Sequence, residues 1–207
     1  MCFYLIGLIS LLWAGSIVII LRKFRKKEEE ERYIARKEQL VPIEESYEFD
    51  FENVEITAVP DLTVVIDRII LRQNGLFLFV NKNRSGHISG NENEEYWTQH
   101  KSSVPGGQVV EKSFRNPIIQ TKLHIYALSQ KLLELDCSVW IQGVVVFTNP
   151  RVKLDVKSKE IPVLHPEEIQ SYVASYRPSK TIAASSILKI NEWMKEQFKG
   201  NVQEKTS

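Results

Sequence analysis

Disulfide pairs, glycine-rich loops and an excess charge of either sign are all missing from this chain of 207 residues. Only two cysteines occur, Cys2 in an apolar N-terminal run and Cys137 in the body, which excludes a disulfide framework and points to a reducing compartment. Nine glycines are scattered, and none forms a loop that could cradle a nucleotide; Gly106-Gly107 reads as a turn. With 27 basic and 26 acidic residues the formal charge is +1, so no global field attracts a polyanion. Affinity for nucleic acid, if present, has to come from local patches. Nothing supports a serine, cysteine or zinc hydrolase, since Cys137 has no motif around it and His124 has no partner ligands at zinc spacing. The length suits one membrane segment and one domain of ordinary size, large enough to bury a core without metals or disulfides.

One long hydrophobic run is present. Cys2 to Leu21 carry no charge, about the length a helix needs to cross a hydrocarbon core of ~30 Å. The run ends in Arg22, Lys23, Arg25, Lys26 and Lys27, and no basic residue precedes it, so a transmembrane helix is expected rather than a cleaved leader. The positive-inside rule then places the N-terminus outside and everything after residue 22 in the cytoplasm. The competing reading is a hydrophobic helix buried in a globular core. From Lys26 to Leu40 the chain is highly charged, with Glu28 four residues ahead of Arg32 and further charges at Arg36 and Lys37, which supports a helix, and Pro42 helps end it.

From residue 47 the period changes to two, with short apolar runs bounded by turn residues. Strands are expected near 47–58, 62–71 and 75–82, with Asn74-Gly75 as a hairpin turn. Another is expected at 139–147, where the run from Val139 to Phe147 is apolar enough to lie in a sheet covered on both faces. Residues 83–115, rich in Asn, Ser, Gly and charge, read as a long loop with an edge strand, its tip at Val104 to Gly107. Helices are expected at 117–135, with Asn116 as N-cap and Pro117 in the first turn, at 166–176 and at 181–198. In the last of these, Ala183, Ile187, Ile190, Met194 and Phe198 form a packing stripe, and residues 200–207 are expected to fray. The organisation is thus a membrane helix at 1–21, a basic flank and charged helix at 22–46, a mixed α/β domain at 47–176, and a C-terminal amphipathic helix and tail at 177–207.

Chemistry concentrates in Ile66-Asp67, in the segment from Gly75 to Asn83, and in Gly86-His87-Ile88-Ser89-Gly90, followed by the helix from Asn116 to His124. An aspartate on one strand and a lysine ending the next, Asp67 and Lys82, are two parts of a phosphodiester-cleaving site. Hydrolysis needs the phosphate charge neutralised and a hydroxide generated, which Mg2+ held by carboxylates does, while lysine orients the attacking water. Each residue also has an ordinary explanation. Asp67 could pair with Arg68 or Lys82, Lys82 could be a solvated strand end, and Gln120 with His124, four apart on one helix face, could be boundary polar groups.

These segments together resemble the NERD (nuclease-related domain) family of the PD-(D/E)xK restriction-endonuclease-like superfamily. The resemblance spans about residues 28–176. It implies an α/β fold with a restriction-endonuclease-like mixed central sheet flanked by helices, here preceded by one transmembrane helix. The family pattern puts a Glu two residues before the lysine, and Val80 stands there. A Gly-Glu pair normally opens the domain; Glu30-Glu31, with Ile34 three residues on, matches in part, and Glu31 could supply a helix carboxylate. The Asn-Pro-x-x-Gln-x-x-x-His helix is matched at Asn116, Pro117, Gln120 and His124. Trp97 and Gln99 fit the segment before it, and Arg68 stands where a histidine is common. The resemblance implies catalytic Asp67, Lys82 and Glu31, a Mg2+ ion on Asp67 and Glu31, and a cleft for nucleic acid bordered by Asn116, Gln120, Lys122 and His124. Asn81 points to the other face, and Asn83 is a weak neutral ligand, so neither replaces the charge lost at Val80. Three functions follow as expectations: a membrane-anchored protein that binds nucleic acid through a degenerate site, an active Mg2+-dependent nuclease, or a membrane-tethered interaction scaffold.

Overall fold

The computed structural model describes Arg25, Lys27 and residues 47–59, 62–102 and 107–203, with side chains to Gln197. The expected membrane helix and charged helix, with Glu31, lie outside the described residues. Among the described residues no helix is long and apolar enough to cross a membrane.

Two mixed sheets and their helices make up the body. The first has five strands in the order β1 (Glu48–Val59), β2 (Leu62–Arg72), β3 (Gly75–Lys82), β7 (Ile141–Phe147) and β9 (Val163–Leu164). The first three strands run antiparallel as hairpins, and β7 adds to β3 in parallel. The tight turn between β2 and β3 is Gln73-Asn74, because Arg72 pairs with Gly75. This shifts the expected turn by one residue. Asn74 is fixed there by donating Nδ2 to the carbonyl of Val173 at 2.7 Å.

Every residue of β7 and every residue from Gly75 to Val80 is buried, as a run without polar alternation requires when both faces are covered. The strand starts at Ile141, so Trp140, expected within it, is left 71% exposed. One face is covered by α1 (Pro117–Glu134) and α3 (Ala184–Gln203), whose Ala127, Leu128, Ile187, Ile190 and Met194 pack with Val64, Ile66, Leu78 and Val80. Ala183 is exposed and precedes α3, which continues to Gln203 where fraying was expected. The side chain of Phe198 lies outside the described residues. The other face is covered by a 3-10 turn at Pro166–Glu168 and α2 (Ile169–Ser175), with Val173 against Phe77, Phe79 and Val144.

The stretch 83–115 corrects the expectation of a loop. It forms β4 (Gly86–Asn91), β5 (Tyr96–Ser102) and β6 (Val109–Arg115), a meander completed by β8 (Val152–Lys157) in the order β6-β5-β4-β8. Of the expected tip, 104–106 fall outside the described residues. The inner face of this second sheet carries Ile88, Trp97 and Phe114, which pack with Phe147 and Ile118. Trp97 is fully buried and donates its indole N–H to the Asn91 carbonyl at 2.9 Å. Two glycines allow this closeness. A Cβ on Gly90 would sit 2.4 Å from the Trp97 ring, and one on Gly86, at φ +87°, would sit 2.4 Å from the His100 carbonyl oxygen.

Candidate active-site cleft

Asp67 lies where β2 changes its relation to its neighbours. Val64 and Ile66 face the helical core, and so do Ile69 and Leu71, so the alternation slips by one residue around Asp67 and Arg68. Pairing of β2 with β3 stops at Arg68 and Phe79. Beyond that point the Asp67 carboxylate replaces the missing backbone acceptor, taking the Asn81 N–H on Oδ2 at 2.7 Å. The strands part here, which is how a carboxylate is held at the end of an otherwise closed sheet. Arg68, one of its expected partners, pairs with Asp50 instead, and that hydrogen bond raises the guanidinium pKa.

Two residues along the same strand behave in opposite ways. Val80 is fully buried in the helical core, and Lys82 ends the strand half-buried with its Nζ donating to Gln120 Oε1 at 2.6 Å. Burial lowers the Lys82 pKa; Asp67 opposes the shift through space and Arg84 adds to it. Gln120 is held over the strand end because α1 starts beside it. Asn116 caps the helix, accepting the Ile118 N–H at 2.9 Å, and Pro117 fills the first turn. The helix then lies close on β7 at Gly143, where a Cβ would meet Thr121 Cγ2 at 2.6 Å. One turn beyond Gln120, His124 is 4% exposed, with Nε2 at 3.4 Å from Gln120 Nε2 and a buried Nδ1 that has no partner among the described residues. Burial lowers its pKa, Asp67 pulls the other way, and Lys82 lowers it further.

The structure therefore brings together Asp67, Lys82, Gln120 and His124. It places two expected cleft residues elsewhere. Asn116 is 1% exposed and spends its amide on the carbonyls of Asn91, Glu92 and Glu94, the last at 2.7 Å. Lys122 points away along α1 to an exposed ion pair with Glu160 at 3.1 Å.

Two residues that were not among the expected cleft residues join the cleft, although the resemblance had matched Gln99. Arg84, just past β3, donates to Gln99 Oε1 at 3.0 Å and lies 4.0 Å from the centroid of the Phe114 ring. Gln99 is itself held by donating Nε2 to the Ser85 carbonyl at 2.6 Å. Only the pairing of β5 with β4 brings Gln99 to this end, so local spacing carries no signal for it. Asp67 also borders a second groove of about 370 Å³, beside Glu52, Asn53, Asn81 and Thr148.

A hard divalent cation needs several oxygen ligands with more than one carboxylate among them. Among the described residues no three His, Cys, Asp or Glu side chains come together. Asp67 has one oxygen committed to Asn81, and its neighbours are an ammonium, an amide and an imidazole. Among the described residues this donor set is short of the carboxylates that Mg2+ takes; Glu31, the other expected ligand, lies outside them.

A family model for the nuclease-related domain matches residues 25–148. An uncharacterized protein of Bacillus anthracis is 32% identical over 118 residues, covering 55% of this chain and 50% of that protein. The chain thus spans about half the length of the curated relative it matches. No solved structure matches the chain.

Proposed function

Because the chain belongs to the nuclease-related domain family, we propose that it is a membrane-anchored member whose cleft binds nucleic acid with little or no cleavage. The observation that carries this reading is Val80. The residue standing where the family pattern has a strand glutamate is sealed in the core at 0% exposure, and Asp67 is left as the carboxylate beside Lys82. Losing a charged ligand from a divalent-cation site costs more than the 10- to 100-fold typical of losing a second-shell partner. Among the described residues a lysine, a neutral amide and a buried histidine accompany Asp67 around the strand end, a set suited to holding a phosphodiester rather than to activating water.

The anchor rests on the uncharged run at 2–21 and on Arg22, Lys23, Arg25, Lys26 and Lys27 after it. That flank puts the domain in the cytoplasm. The protein is expected to stay in the membrane through alkaline carbonate washing, and its domain to resist protease added to intact cells.

The decisive measurement combines cleavage with binding on the full chain in detergent. Single- and double-stranded DNA and RNA are expected to bind, more weakly as salt rises, and to survive incubation with Mg2+. Robust Mg2+-dependent cleavage abolished by Asp67→Ala would replace this reading with an active nuclease that draws on Glu31. Absence of binding at low salt would leave a membrane-tethered scaffold.

A further inference from the structure

Two groups of cations in this domain differ in the acceptors they meet. Arg68, Arg72, Lys122 and Lys131 each pair with a carboxylate, from Asp50, Glu48, Glu160 and Glu134. Lys82 and Arg84 instead donate to the side-chain carbonyls of two glutamines, Gln120 and Gln99. A neutral acceptor fixes the direction of a cation and leaves its charge intact. The two cations are two residues apart and close enough for Arg84 to depress the Lys82 pKa. Asp67 offsets part of the Lys82 charge through space, but among the described residues neither cation is in an ion pair, so the two like charges side by side favour an added anion. Arg84 is further restrained by its stacking over Phe114. Its remaining N–H groups reach no acceptor among the described residues, and none is among the buried unsatisfied atoms. A guanidinium held over a ring, with donors free, is ready for two-point contact with phosphate oxygens.

We propose that Lys82 and Arg84 form a phosphate clamp aligned by Gln120 and Gln99, and that it grips the phosphodiester backbone of a nucleic acid lying between the two sheets. The clamp rests on the nucleic-acid reading above and adds to it the group recognised and the residues responsible. Lys82 supplies a point charge and Arg84 the directional contact. Gln99 and Gln120 are positioning residues, acting through the cations they hold. Recognition of this kind reads the backbone and is indifferent to base sequence.

The clamp is tested on the full chain in detergent with two probes, inorganic pyrophosphate and a fluorescent oligonucleotide titrated at several salt concentrations. The variants are Arg84→Ala, which removes the cation, and Gln99→Glu, which keeps Arg84 and pairs it with a carboxylate. Both probes are expected to bind the wild type. Each variant should weaken oligonucleotide binding by about tenfold or more, by similar factors for unrelated sequences. Arg84→Ala should also lower the slope of log affinity against log salt by about one. Gln99→Glu also gives up the donation from Nε2 to the Ser85 carbonyl, so its unfolding free energy is measured alongside, and a lowered salt slope in a variant that still folds is the result a purely structural glutamine would not give. Oligonucleotide binding that is indifferent to both variants overturns the clamp and leaves the nucleic-acid reading standing. Pyrophosphate binding lost in both variants, with no oligonucleotide binding in the wild type, keeps Lys82 and Arg84 as a phosphate site but overturns both its assignment to nucleic acid and that reading. Failure of the wild type to bind either probe overturns both.

Discussion

The five-stranded and four-stranded sheets are built from similar residue types and use them differently. In the first sheet β3 from Gly75 to Val80 and all of β7 are sealed on both faces, and the polar groups of the cleft, Asp67 and Lys82, stand where the strands part. In the second, Ile88, Trp97 and Phe114 close one face while His87, Ser89, His100, Glu111 and Lys153 stand on the other at least partly in solvent. Polar groups are common on that open face and few are held in place. At the cleft they are few and nearly all are held, by Gln120, Gln99 and the Asn81 N–H. A fixed polar group next to a closed core is therefore the better guide to a site than a count of polar residues.

The largest effect that tests this contrast is expected at Val80. A glutamate there has no polar partner within the core, so Val80→Glu should destabilise the protein by about 3–5 kcal/mol at pH 7, the carboxyl being driven toward its protonated form. Lowering the pH to 5 should recover part of the loss, which urea unfolding at the two pH values would measure. Mg2+ supplies a second readout. If Val80→Glu gains stability from Mg2+ and the double variant with Asp67→Ala does not, the sealed strand is an eroded metal site. A loss below about 1 kcal/mol without Mg2+ would mean that the core opens at Val80, and the comparison between the sheets would fail.

The contrast also explains what the sequence made legible. Strands β1 to β3 fall within about a residue of their expected bounds because alternation and a tight turn are local signals. The second sheet was hidden because its strands bury too few apolar side chains to show that alternation. Its inner face spends positions on Gly86 and Gly90, so Ile88, Trp97 and Phe114 are too sparse to register as strands. Within the site, Asp67, Lys82, Gln120 and His124 could be found from a motif. Arg84 carried no such signal, and Gln99 was matched without a role, because their meeting depends on strand pairing across the Gly90-to-Tyr96 turn. Asn116 shows the reverse case, a motif residue whose amide is spent on the turn that carries Trp97.

A smaller effect is expected from His124, buried at the seam with its pKa lowered by desolvation. The folded state favours neutral imidazole, so the unfolded chain binds more protons below the ordinary value of 6.5. The stabilisation is fully present above that value and is lost as pH falls toward the lowered folded pKa. Its slope cannot exceed about 1.4 kcal/mol per pH unit for one proton. His124→Gln should flatten the decline in unfolding free energy below pH 6.5, whatever it does to stability at pH 8. A phosphate in the cleft would favour the imidazolium, so binding by the wild type should also strengthen over this window. An unchanged pH slope in His124→Gln would mean that solvent reaches the ring and that the seam is open.

The smallest effect belongs to the open face, and its smallness is the test. Glu111 Oε2 lies 3.3 Å from His100 Nε2, with the two side chains 70% and 37% exposed. A pair so placed gains little from attraction in water and gives some of that back in side-chain entropy. Glu111→Gln preserves shape and hydrogen-bonding capacity, so it should change unfolding free energy by less than about 0.5 kcal/mol. It should also leave oligonucleotide affinity unchanged, because the removed charge stands on the face of the sheet opposite Trp97 and Phe114. A loss above about 1 kcal/mol would show that water is excluded from this pair and that the face is covered. A gain in affinity would show that nucleic acid crosses this sheet as well as the cleft, since removing a carboxylate from its path would relieve repulsion. Either result would erase the division between a closed sheet with held polar groups and an open one whose polar groups are free.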